Sequence, residues 1–231
     1  MDKVVVAPIA PFYSQHFPPE VFSVLYGAKP GMPDMESIIS LARPIAMTSG
    51  ALIIASVAVE FTAVSTPEAM AGGAGLAASG LALAGVFALL VGFLALYAAQ
   101  SSVFGRLGRV GVLVALLGAT LTAGGVWSQV FVVPGLAQAA PEVLESGGLT
   151  TVLIGFVLSY AVLGLGGLIF GIASLRSAVF PRWTSILMIV GAVLCFAPLP
   201  ARYLVLAVAV SLMAGQLRSA VTSTQRQPAN A

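Results

Sequence analysis

Gly75 to Ala99 reads GLAASGLALAGVFALLVGFLALYAA, twenty-five residues without one charge and composed almost wholly of Ala, Leu, Gly, Val and Phe. About 20 apolar residues in a helix cover the roughly 30 Å hydrocarbon core of a bilayer, so this stretch is long enough to cross it. A helix satisfies its own backbone N–H and C=O groups, which lipid cannot do. Moving outward in both directions, the same pattern recurs at about 44–65, 110–133 and 150–174, then in two shorter runs at about 183–197 and 202–217. Only Glu60 places an ionisable acid or base well inside any of these runs. A charge at the bilayer centre costs from roughly 3 to more than 10 kcal/mol, so its systematic exclusion marks a chain built for lipid.

Composition agrees. The chain is 59% hydrophobic and 8% charged, against about 45–50% and about 25% for an ordinary soluble domain. The expected fold is an all-α integral membrane protein: a six-transmembrane-helix bundle with a Pro/aromatic-rich N-terminal arm and a short interfacial helix. The last two runs are near the lower length limit for crossing. Pro198-Leu199-Pro200 between them reads as a tight hairpin at one membrane face. A re-entrant pair is the alternative, and it would require a protein-lined pocket at membrane depth for Arg202 and Tyr203.

Orientation follows from the basic residues, which stay on the cytoplasmic side. Lys3, Lys29 and Arg43 precede the first span, Arg106 and Arg109 join the second to the third, and Arg176 and Arg182 join the fourth to the fifth. Arg218 and Arg226 follow the sixth. The opposite loops carry Glu68, Glu142 and Glu145, with Arg202 as the one exception. Both termini are therefore expected in the cytoplasm, and the protein in the plasma (inner) membrane. Eight arginines against two lysines, with heavy Ala, Gly, Val and Leu usage, point to a GC-rich bacterial genome.

Apolar burial does not drive helices together in lipid, whereas close packing at small residues does. Gly75, Ala78, Ala82 and Gly85 line the second span, Gly111, Gly118 and Gly124 the third, and Gly164, Gly167 and Gly171 the fourth. Gly167 and Gly171 form a GxxxG pair, expected to pack within the chain. Val103-Phe104-Gly105-Arg106 and Val179-Phe180-Pro181-Arg182 match at an offset of two helices. Four positions are too few to separate a parallel duplication from coincidence.

The stretch Gly171-Ile172-Ala173-Ser174-Leu175-Arg176, followed by Phe180-Pro181-Arg182-Trp183 and a Gly/Ala/Leu run, resembles a segment common in uncharacterised bacterial multi-pass membrane proteins of unknown function. The resemblance covers about residues 165–198. It implies a membrane location and carries no activity, and Arg-Trp at an interface also follows from snorkelling and the aromatic belt.

Residues 1–33 contain no apolar run of signal-peptide length. They hold six of the fourteen prolines interleaved with Phe12, Tyr13, Phe17, Phe22 and Tyr26, which form the candidate partner-binding arm, read as an extended cytoplasmic segment. Asp34 then opens an expected interfacial helix over 34–43. Residues 218–231 form a short polar cytoplasmic tail.

Chemistry is sparse. His16 lies outside every span, and Lys3 and Lys29 are outside the membrane, so neither a bis-histidine haem nor a retinal Schiff base fits within this chain. The lone Cys195 reads as a small buried hydrophobe. No cluster suits a metal, no cofactor is expected, and neither a Ser/His/Asp set nor a glycine-rich phosphate loop can be assembled. The scattered basic residues offer no footprint for nucleic acid. The candidate polar cavity is Glu60, Trp127, Gln129 and Tyr160, all expected in the outer layer. Glu60 either serves a ligand or proton there, or is a neutral acid hydrogen-bonded to Gln129 for packing. The expected function is a non-catalytic accessory or scaffolding subunit of a larger bacterial membrane complex, with lipids and other membrane subunits as partners. The alternative is a small permease or lipid-handling protein with an outward-facing cavity around Glu60.

Overall fold

The structure, a computed structural model, describes residues 35–64, 66, 69, 71–101, 103–140, 142–143, 150–197 and 202–217. Among these there is no strand. The helices are α1 (Met35–Ala63), α2 (Gly73–Gln100), α3 (Arg106–Phe131), α4 (Val133–Ala139), α5 (Thr150–Ser177), α6 (Arg182–Leu194) and α7 (Leu204–Gly215). Backbone contacts divide the chain into units 1–37 and 38–231, and the bundle is the second. The expected aromatic arm, residues 1–33, and the tail, residues 218–231, lie outside the described residues.

Four helical stretches are long and apolar enough to cross a membrane: Ile39–Ala63, Gly73–Gln100, Arg106–Ala139 and Thr150–Ser177. The chain is thus consistent with an integral, multi-pass membrane protein. The remaining two, α6 and α7, have 13 and 12 residues, or about 20 and 18 Å at 1.5 Å per residue. That is shorter than the hydrocarbon core.

The interfacial helix expected over 34–43 is not a separate element: α1 runs on through Pro44. Proline inside a helix removes one ladder bond, a loss that neighbouring helices and hydroxyl side chains can absorb in membrane proteins. Immediately beyond it, Ser211 of α7 inserts into α1. Its Oγ accepts from the Gly50 N–H at 2.8 Å and donates to the Ala46 carbonyl at 3.2 Å. Ser49 completes the junction, with its Oγ 3.3 Å from the Ala207 carbonyl and 2.9 Å from Ser211 Oγ. Such hydroxyl contacts hold helices together where the hydrophobic effect cannot.

Short as it is, α7 occupies the middle of the bundle. Leu206, Ala207, Ala209, Val210, Met213 and Ala214 are all fully buried. Val210 packs where Gly92 of α2 has no side chain, and Leu206 packs against Gly167 of α5 and Gly191 of α6. The GxxxG pair of α5 therefore faces α6 and α7 of the same chain, with Gly171 against Ile189.

The closest helix pair is α3 with α5, which run antiparallel. Gly118 lies against the backbone of Leu163, Gly166 against that of Ala115, and Gly111 against Phe170. A Cβ at Gly118 or Gly166 would overlap the opposing main chain. Gly124, expected in the same row, faces open space instead. The matched tetrapeptides occupy like positions: Phe104 and Phe180 are both buried just ahead of α3 and α6. Phe104 packs edge-on to Phe170 at 5.3 Å, and Phe170 edge-on to Phe93 at 5.6 Å.

These pairings fix which ends lie together. Arg43, in the third turn of α1, donates to the terminal carbonyls of α7, Nε to Ala214 at 3.3 Å and Nη2 to Gly215 at 3.0 Å. A guanidinium at that site meets the negative end of the helix dipole. At this same end Gln100 closes α2 against Ser177 of α5, so Arg43, Arg106, Arg109, Arg176 and Arg182 share one end of the bundle. Glu60 and Arg202 lie toward the other.

Gly166→Ala should lower stability by about 1–3 kcal/mol, the usual cost of overpacking, because neither backbone can move aside. Gly124→Ala should be neutral. Thermal unfolding in detergent measures both, and equal melting temperatures for the two variants would refute the α3–α5 contact.

Candidate functional site

At the end opposite the arginines, α7 stops early and a cavity of about 240 Å³ remains above it. Each wall follows from helical spacing. On α1, Ser56 and Glu60 are four residues apart and share a face with Val57 and Val64. On α2 the lining is Gly75, Ala78, Ser79 and Ala82, whose small side chains leave the volume open. Val126 and Gln129 come from α3, Val133 from the start of α4, and Tyr160 from α5. Arg202 and Tyr203, just ahead of α7, form the floor.

The floor is held by stacking. The Arg202 guanidinium carbon lies 4.6 Å from the centre of the Tyr160 ring, a cation–π contact worth about 0.5–2 kcal/mol depending on how dry it is. Tyr160 also stacks on Tyr203 at 5.6 Å with 14° between planes, and on Phe156 at 6.2 Å. Cys195 joins the two sides of the hairpin, its Sγ 3.4 Å from the Gly191 carbonyl and 3.9 Å from that of Arg202. Tyr160 is the eleventh residue of α5, so the stacked Arg202 and Tyr203 lie about 15 Å along the axis from the start of that helix.

Three of the four residues expected around the cavity line it: Glu60, Gln129 and Tyr160. Trp127 does not. It is 52% exposed on the outside of α3 and packs on Phe131, ring centres 4.3 Å apart. Residues 126, 129 and 133 share one side of the helix, and position 127 is turned about 100° from 126. Sequence adjacency to Gln129 was misleading there. Arg202, Tyr203 and Ser79 are additions. The signal for the first two was present, since Arg202 is the one arginine that breaks the alternating charge pattern.

Glu60 is exposed at the rim, Arg202 is half-buried and Tyr203 is buried. The Glu60 carboxylate makes no hydrogen bond to Gln129, although both line the cavity. Nor do Glu60 and Arg202 form an ion pair. Ser56 is occupied, donating to the Ala78 carbonyl at 2.8 Å. The N-terminus of α7, capped at Tyr203, borders the same space. Among the described residues, no group of three His, Cys, Asp or Glu side chains is placed to hold a metal.

The other polar cluster, at the arginine end, is closed. Gln100 is fully buried, donates from Nε2 to the Leu96 carbonyl at 3.1 Å and accepts from Ser177 Oγ at 2.9 Å. It packs α2 against α5.

The chain matches no protein-family model, no curated protein and no solved structure. The cavity therefore carries the functional argument alone.

In a Cys195→Ser background, Gln129→Cys should react with a charged methanethiosulfonate, because a water-filled cavity lets the thiol ionise. Trp127→Cys, facing lipid, should stay unreactive. Equal or reversed reactivity would remove Gln129 from the cavity.

Proposed function

We propose that this chain is a small membrane protein that binds a polar ligand without chemical catalysis, as a permease or lipid-handling protein does. The observation that carries this is an acid and a guanidinium facing one cavity within a helical bundle without pairing with each other. Charges cost several kcal/mol each to hold in or near lipid, so side chains of this kind inside a bundle usually serve a ligand or ion. A packing role would be better served by a direct contact between Glu60 and Gln129 or Arg202. The small residues of α2 keep the space empty where larger ones would fill it.

The topology on this reading has four full crossings and one short hairpin. The five arginines gathered at one end support a cytoplasmic assignment for that end, in a plasma (inner) membrane of bacterial type. The α6–α7 pair enters from there and returns, with Arg202 and Tyr203 at the start of the returning helix. Six complete crossings, the first expectation, would put the α6–α7 connection at the far surface, and helices of 13 and 12 residues favour the shorter excursion. The objection to a re-entrant pair was the need for a protein-lined pocket around Arg202 and Tyr203, and the cavity supplies one. Either topology returns both termini to the cytoplasmic side, with the cavity opening outward.

An accessory or scaffolding subunit is the second reading. The outer third of α5 favours it, where Val152, Leu153, Ile154, Val157 and Leu158 are all exposed. Consecutive exposed residues cover most of the helix circumference, more than one lipid-facing side requires.

Native mass spectrometry from mild detergent separates the two. The binding reading expects the wild-type protein to carry a small-molecule or lipid mass that Ser79→Phe, which fills the cavity, has lost. Bare protein in both cases, accompanied by a stoichiometric second subunit, would favour the scaffold and contradict the binding reading.

A further inference from the structure

The charges in the cavity are arranged in a way that selects a ligand class. Glu60 stands at the rim on α1, while Arg202 is held on the floor by the Tyr160 face and the hairpin. They belong to different elements and do not form an ion pair. A monovalent cation would be drawn to one and repelled by the other, and a monovalent anion likewise. A molecule carrying both charges satisfies both, at a site whose described charged lining is one acid and one base.

We propose that the cavity binds a zwitterion with a primary ammonium group and an oxyanion a few bonds apart. The ammonium lies at Glu60 near the rim, and the oxyanion lies at Arg202, over the first turn of α7. The inference rests on the ligand-binding reading above. Two independent features favour an oxyanion on the floor. The guanidinium presents paired N–H donors that match a carboxylate or phosphate. The N-terminus of α7, twelve residues long and ending at the cavity, adds the positive end of its dipole. Tyr160, Tyr203, Ser79 and Gln129, which also line the cavity, offer neutral polar partners.

A free zwitterion and a zwitterionic lipid headgroup share this chemistry. Access from water runs past Glu60, and access from lipid runs past the outer third of α5, whose exposed apolar residues flank the space above Tyr160.

The test titrates the purified full-length protein, in a detergent free of amino-lipids, with O-phosphoethanolamine, inorganic phosphate and ethanolamine. Wild type should bind O-phosphoethanolamine at least about tenfold more tightly than either half-probe. Glu60→Gln should abolish the preference over phosphate. Glu60→Lys should bind phosphate more tightly than wild type does, a gain that misfolding cannot produce. A second arm compares nanodiscs of phosphatidylethanolamine with phosphatidylglycerol. Stabilisation by the former that disappears in Glu60→Gln, without binding of the soluble probe, identifies a lipid headgroup as the source. Saturable binding of the soluble probe identifies a free zwitterion.

Phosphate binding as tightly as O-phosphoethanolamine, or neither arm depending on Glu60, would overturn the assignment. If a ligand mass is nevertheless lost in Ser79→Phe, the binding reading stands and only the zwitterion falls.

Discussion

The length of the α6–α7 hairpin governs the rest of the bundle. A central helix of 12 residues is surrounded by helices of up to 29, so whatever it fails to reach becomes either a void or a site. Bilayer physics penalises polar backbone that is neither bonded nor wet, and a chain reversal within the hydrocarbon depth is tolerated where protein or water surrounds it. Here Arg202 and Tyr203, just ahead of α7, face a cavity lined by α1, α2, α3 and α5. The same shortness goes with the cavity and with the exposed apolar residues along the outer third of α5.

That arrangement depends on rigid walls, and small residues supply them. In lipid, helices gain little from burying leucine against leucine, so contact must come from close backbone approach and from hydroxyl bridges. The α3–α5 pair achieves the first at Gly118 and Gly166, and the α1–α7 pair achieves the second through Ser49 and Ser211. Arg43 then anchors the far end of α7 by its terminal carbonyls. With both ends of α7 fixed, the floor of the cavity has a defined depth.

Much of this was legible in the sequence. Long uncharged runs gave the four full-length spans directly, because lipid leaves so few alternatives, and alternating arginines anticipated which loops share an end. Glu60, Gln129 and Tyr160 were identified from polarity and depth alone. Trp127 was misplaced because depth along a helix says nothing about azimuth. Gly166 was passed over for Gly167 and Gly171, since a GxxxG spacing reports that a helix can approach a neighbour and not which neighbour is nearest. The start of α1 was read as a separate interfacial helix over 34–43, whereas the helix runs unbroken through Pro44 into the first span. Arg202 was visible as an exception to the charge pattern, yet its meaning required knowing that the hairpin ends level with Tyr160. Sequence gives the length of an apolar run, whereas the level at which its end settles depends on packing against partners far away in the chain.

The central claim is that the hairpin tip faces a water-filled space open to the side away from the arginine cluster. Its most direct test is the sidedness of position 202. In a Cys195→Ser background, Arg202→Cys should be modified by a membrane-impermeant maleimide added outside intact cells, more slowly than an exposed loop control at Thr66→Cys. Modification only from the cytoplasmic face, or only after the membrane is dissolved, would contradict the account.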